Sequence, residues 1–131
     1  MAAARTVQPK ESDFPAFYSA ARIWASGHNP YDLEAQCSVQ EPIRGVPCLP
    51  FAHPPVLLPL ISLVSNEDFT SSYYRWIVVL VLVSAFCILP LYRLCAEWKL
   101  SVQTILFFPI VVAITFGQDT PFILLGVLLW I

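Results

Sequence analysis

With 131 residues, of which 57% are hydrophobic and only 12% charged, and a mean hydropathy of +0.67, the chain is too apolar for an ordinary soluble domain of its size. The formal net charge of −2, without any dense block of Lys and Arg, excludes a strongly basic nucleic-acid surface. Uncharged runs of roughly 16 to 20 residues point instead to lipid as one of its solvents.

The first residues, Met1 to Glu11, are polar and contain no apolar stretch, so neither a signal peptide nor a membrane span is expected there. At the other end, Leu128-Leu129-Trp130-Ile131 is apolar and uncapped. The expectation is a piece of a longer multi-span protein. It divides into a polar segment at 1–12, an extracytoplasmic loop with interfacial helices at 13–72, and transmembrane helices over 73–131, at about 73–94, 100–116 and 121–131.

From Asp13 to Ser26, Phe14, Phe17, Ala21 and Trp24 recur at helical spacing, with Ser19, Arg22 and Ser26 on other faces. This is an amphipathic helix too short and too polar to span. Its aromatic stripe suits the plane of a membrane interface, although a soluble core absorbs the same stripe. Ser12 and Asp13 stand at the N-cap, Pro15 in the first turn and Gly27 just past the end. His28-Asn29-Pro30-Tyr31-Asp32 is a turn in which Asp32 caps a second short helix, to about Val39.

From Glu41 onward Pro42, Pro47, Pro50, Pro54, Pro55 and Pro59 follow in close succession, which predicts a loop held by fixed φ angles. Within it Cys48 pairs with Cys37 if the loop faces an oxidising compartment; two free thiols are the alternative. The four cysteines form no metal pattern. Val56 to Val64 is apolar but covers less than half of a hydrocarbon core about 30 Å thick at about 1.5 Å per residue, so it is expected to be re-entrant or interfacial.

After Asn66-Glu67-Asp68 a first span runs from about Tyr73 to Leu94, opened by Tyr73, Tyr74 and Trp76 and kinked at Pro90. A link with Arg93, Glu97, Trp98 and Lys99 follows, then a second span over about Leu100 to Phe116. Gly117-Gln118-Asp119-Thr120-Pro121 breaks the run before a third span begins at Phe122. The short loop with Arg93 and Lys99 is assigned to the cytoplasm by the positive-inside rule. Alternation then puts the Asp13 helix, the proline-rich loop and the Gly117 break on the outer face; Arg75, at the outer end of the first span, argues the other way.

Four residues stand out for chemistry, each with a plainer competing role. Asp13 sits at a helix N-terminus, where backbone N–H groups favour an ionised carboxylate able to act as a base, or it is simply a cap. His53, before Pro54-Pro55, can meet a phosphate or sugar hydroxyl, or is an ordinary loop histidine like His28. Gln118, beside Asp119, lies where a membrane run breaks, and such polar groups either line a cavity or make a turn. Arg22 can pair with Asp32 or reach a phosphate, or is solvated. No Gly-rich phosphate loop and no serine nucleophile elbow is present.

The run Asp13-Phe14-Pro15-Ala16-Phe17-Tyr18-Ser19-Ala20-Ala21-Arg22, with Gly27-His28-Asn29-Pro30-Tyr31-Asp32 after it, resembles the first outer loop of glycosyltransferase family 87. Pro54-Pro55 with Leu57-Leu58-Pro59-Leu60 resembles that family's proline pair and short helix, and Gly117-Gln118 after Pro109 its membrane break. The resemblance implies an all-α, polytopic membrane fold of GT-C type. It further implies a plasma-membrane enzyme, bacterial, acting on the extracytoplasmic side. Such an enzyme moves a sugar, mannose in the leading version, from a polyprenyl-phosphate donor to a glycan or glycolipid acceptor with inversion. By the resemblance Asp13 is the general base, and Arg22, His53 and Gln118 are expected substrate contacts. No cofactor is expected, and the divalent-metal requirement stays open. The span before Asp13 and the later spans of the family are missing, so the chain alone is expected to be inactive. The competing readings are a non-catalytic membrane remnant or interaction protein and, less favoured for want of charges along the spans, a transporter.

Overall fold

The first helix begins where the sequence turns from polar to aromatic. In the computed structural model, which describes residues 11–44, 48–66, 68–95, 103 and 108–130, α1 runs Phe14–Ala25 with Pro15 in its first turn. It stops at Gly27, whose φ of 81° places it in the left-handed region that glycine enters without a Cβ penalty. There His28 N–H donates to the Ile23 carbonyl at 3.1 Å and Gly27 N–H to that of Trp24 at 2.9 Å, the paired bonds of a Schellman ending.

The turn that follows is built as its residues dictate. Asn29 Oδ1 accepts the Tyr31 N–H at 3.1 Å, and Asp32 Oδ1 accepts those of Glu34 and Ala35 at 3.0 and 3.2 Å, capping α2 (Leu33–Arg44). This helix continues past Val39, where the proline density predicted its end. Pro42 lies inside it: only the bond to the Ser38 carbonyl is forfeited, and the helix ends two residues later. Cys37 of α2 and Cys48 are joined in a disulfide, their Cα atoms 5.3 Å apart.

A 3-10 turn over Pro55–Leu57 leads into α3 (Leu58–Val64). Asp68 then opens α4 (Phe69–Phe86), its Oδ2 accepting the Ser71 N–H at 2.7 Å. The helical path breaks at Cys87, one turn before Pro90, whose ring crowds the Phe86 carbonyl and offers it no N–H. It resumes as α5 (Ile88–Cys95), with Leu91 N–H donating to the Cys87 carbonyl at 3.1 Å. Phe69–Arg93, 25 residues that include an 18-residue stretch of mean hydropathy 2.2, is long and apolar enough to cross a membrane. The later helices are α6 (Phe108–Thr115) and α7 (Thr120–Trp130). Among the described residues all regular structure is helical. Residues 1–10 of the expected polar start, the Glu97–Lys99 part of the link and, apart from Gln103, the first part of the second span lie outside the described residues.

The chain forms two units, 1–76 and 77–131. The first is built on aromatic packing. Phe14 and Phe17, both fully buried, meet Trp76 with ring centroids 6.4 and 5.9 Å away; Phe14 also meets Phe69 and Tyr73, and Phe17 meets Phe51. The Tyr18 hydroxyl donates to the Asn66 carbonyl at 2.9 Å. Nine of the twelve residues of α1 are buried, so of the two covers weighed for its stripe the core of the unit takes Phe14, Phe17 and Ala21, while Trp24 stays 42% exposed. Tyr73 and Trp76 are buried in the same core, so of the three aromatics expected to belt the first span only Tyr74 faces outward. Each such ring stabilises the fold by roughly 1.5–3 kcal/mol over leaving it exposed.

In the second unit Cys87, Leu91 and Leu128 form a small buried cluster against Leu124 and Leu125, and the Cys87 thiol approaches the Pro121 carbonyl at 3.9 Å.

Candidate functional site

Asp13 occupies the N-cap position of α1, yet its carboxylate makes no cap hydrogen bond. The acceptor is its neighbour: the Phe14 N–H donates to Ser12 Oγ at 3.2 Å, and Ser12 is fully buried. The Asp13 backbone carbonyl takes the Ala16 N–H at 3.1 Å. The capping role weighed for this residue therefore belongs to Ser12, and the Asp13 side chain is left partly exposed at the positive end of the helix.

One turn along the same face lies Phe17, since residues four apart on a helix are neighbours. The His53 ring rests on Phe17 with centroids 4.6 Å apart and 35° between planes, and it also meets Phe51 at 5.7 Å. Phe17 thus carries the imidazole one turn along α1 from Asp13.

What holds His53 there is an extended segment fastened at nearly every second residue. Cys48 is bonded to Cys37. Leu49 exchanges two bonds with the Gln40 amide, its N–H donating to Oε1 at 2.8 Å and its carbonyl accepting from Nε2 at 2.7 Å. Phe51 N–H donates to Gln36 Oε1 at 2.7 Å, while Gln36 Nε2 donates to the Pro30 carbonyl at 2.6 Å. The Tyr31 hydroxyl donates to the His53 carbonyl at 2.9 Å. Gln40 Nε2 also reaches Ser19 Oγ on α1 at 3.0 Å. Two buried glutamines one turn apart therefore act as a substitute strand edge, satisfying backbone groups that a proline-rich loop cannot satisfy by itself. Gln36 and Gln40 were not singled out in the sequence; their i, i+4 spacing around Cys37 is the signal that was there to find.

Arg22 does not join this face. It follows Asp13 by nine residues, about two and a half helical turns, which puts it on the opposite side of α1. It is exposed, with its guanidinium carbon 6.0 Å above the Tyr18 ring. His28 is exposed too, in contact with Ser26 Oγ through Nδ1 at 3.0 Å, consistent with its role in the turn.

Gln118 belongs to the second unit. Gly117, with φ of 73°, ends α6 in a second Schellman pair, Gln118 N–H to the Ala113 carbonyl at 2.8 Å and Gly117 N–H to that of Ile114 at 3.0 Å. Asp119 then opens α7, its carbonyl accepting the Phe122 N–H at 2.9 Å. The polar break is a helix-to-helix turn in which Gln118 is half-buried and Asp119 only 6% exposed. A nearly buried carboxylate in so apolar a stretch makes Asp119 as much a candidate as Gln118.

Among the described residues no group of three or more His, Cys, Asp or Glu is placed to hold a metal ion. The first unit thus offers a carboxylate at a helix start, an imidazole on an aromatic support, and a cross-linked loop that fixes the imidazole. No family model matches the chain, and neither a curated protein nor a solved structure matches it.

Proposed function

We propose that the chain works as part of a membrane glycosyltransferase of the polytopic GT-C type, moving a sugar, mannose in the leading version, from a polyprenyl phosphate to a glycan or glycolipid acceptor outside the cytoplasm. The reading starts from the resemblance of the Asp13 and Gly27 motifs to glycosyltransferase family 87. The observation that supports it most is one of placement: Asp13 stands at the start of α1, one turn from Phe17, the ring that carries His53.

In that reaction Asp13 takes the proton of the acceptor hydroxyl as its oxygen bonds to the anomeric carbon. The bond from that carbon to the phosphate oxygen breaks, and polyprenyl phosphate departs with the electron pair, so the anomeric centre is inverted. Donors near the departing phosphate lower the barrier by meeting its charge. His53 is the assignment for that role, and Gln118 is kept as an expected substrate contact on the resemblance alone. Arg22, on the far side of α1, is withdrawn from the donor site and assigned to the surface of the unit.

The Cys37–Cys48 bond supports the outer location of the loop, because disulfides persist in oxidising compartments. The experiment is Asp13→Asn, made in the gene in its native context and assayed with a lipid-linked sugar. Loss of transfer with unchanged membrane insertion is expected; turnover equal to that of an active parent would remove the general-base assignment, whereas a parent without turnover would remove the enzyme reading and leave a non-catalytic membrane protein.

A further inference from the structure

α3 is apolar on every side. Leu58 and Ile61 turn inward and are fully buried. On the opposite side the helical spacing collects Val56, Pro59, Leu60 and Leu63, of which Val56 is 76% and Leu63 81% exposed. Its one polar side chain, Ser62, donates to the Pro59 carbonyl at 2.8 Å and so does not advertise itself to water. A helix that is hydrophobic all round is normally covered on all sides, and an uncovered apolar face marks a contact.

Three observations say what covers it. No Asp, Glu, Lys or Arg occurs from Gly45 to Asn66, so α3 and the loop before it carry no fixed charge of their own, the next acids being Glu67 and Asp68. Val64 is five residues from Phe69, where the membrane-crossing stretch begins, so α3 sits within about 18 Å of that start. The Tyr18 hydroxyl bond to Asn66 ties this short link to α1, which keeps α3 from swinging off. An apolar, uncharged face tethered so closely to a span lies within reach of the headgroup and upper acyl region.

We infer that the Val56–Leu63 face of α3 is a lipid-docking surface, seated in the leaflet from which α4 departs. The sequence expects Val56 to Val64 to be re-entrant or interfacial, and the exposed Val56 and Leu63 assign the side that meets lipid. The inference rests on the membrane part of the proposed function, that α4 and α5 cross a bilayer, and is independent of sugar transfer.

The test is nitroxide labelling at Leu63→Cys and Val56→Cys in a Cys87→Ser, Cys95→Ser background, with the Cys37–Cys48 bond intact, in phosphatidylcholine liposomes. Glu11→Cys serves as the water reference and Leu82→Cys, on the exposed side of α4, as the lipid reference. Collision with oxygen relative to a water-soluble nickel chelate is expected to be severalfold higher at 56 and 63 than at 11, and close to that at 82. A ratio at 63 equal to that at 11, with 82 still lipid-like, overturns the docking surface and leaves the span standing. Shielding of 63 from both reagents means that protein covers the face and overturns it as well. A water-like value at 82 would remove the membrane reading together with the inference.

Discussion

The Phe51 N–H donates to Gln36 Oε1 at 2.7 Å inside the first unit, so a helix side chain serves as the hydrogen-bond partner of an extended loop. The buried donor has no water to turn to if that oxygen is removed. Gln36→Leu is therefore expected to destabilise the unit by about 1–3 kcal/mol, the cost of an unsatisfied buried group, while Glu34→Leu on the exposed side of the same helix has little effect. Thermal unfolding of the two purified variants makes the comparison, and equal midpoints would show that the glutamine contact is dispensable.

The disulfide closes a loop between residues 11 apart in sequence, which in the chain-entropy view is worth about 3 kcal/mol. Cys37→Ser with Cys48→Ser should lower the unfolding midpoint accordingly. Alkylation followed by mass spectrometry should find two blocked thiols in the parent without reductant and none after it, counting only these positions. Full alkylation of both cysteines in freshly isolated membranes would refute the oxidised loop.

Gly27 and Gly126 separate two roles of one residue type. A Cβ at either position meets no atom within 4 Å, but only Gly27 has a positive φ, +81°. Gly27→Ala is thus expected to cost about 1 kcal/mol through backbone strain alone. Gly126→Ala, on ordinary helical backbone, should be neutral or stabilising. The opposite order in unfolding measurements would contradict the Schellman ending described for α1.

Asp68 carries the pH dependence that the first unit can be asked about. The Ser71 hydroxyl and backbone N–H hold its carboxyl below the usual value of 3.8. A carboxyl depressed in the folded state adds stability at pH values above 3.8, and that contribution disappears as pH falls through the lower folded value. Asp68→Asn, which keeps an acceptor for the helix start, should then be slightly less stable than the parent at neutral pH and equal to it in strong acid. A difference that grows below pH 3.8 would reverse the sign.

The parts of this fold that were legible in the sequence are those set by local chemistry. Pro15, Gly27, Asn29 and Asp32 fix φ angles or cap helix ends within a few residues, and α1, its ending and the start of α2 follow from them. The sequence left the cover of the α1 stripe open between lipid and core, because periodicity shows that a face is apolar, not what covers it, and Trp76 lies 59 positions beyond Phe17. The extension of α2 through Pro42 was hidden because a proline near a helix end forfeits one bond only. At the candidate site, the choice of Ser12 over Asp13 as cap, and the pairing of Gln36 and Gln40 with the loop before His53, are settled by contacts that residue spacing does not encode.

The proposed function makes one topological prediction: Glu11 and Gln118 are reached from outside the cell and Arg93 from inside it. A membrane-impermeant maleimide applied to intact cells tests it, on single Glu11→Cys, Gln118→Cys and Arg93→Cys variants in the Cys87→Ser, Cys95→Ser background. Glu11 and Gln118 positions are expected to label at once, and the Arg93 position only after permeabilisation. Labelling of positions 11 and 118 from opposite sides would leave no common surface for sugar transfer and would contradict the proposed function.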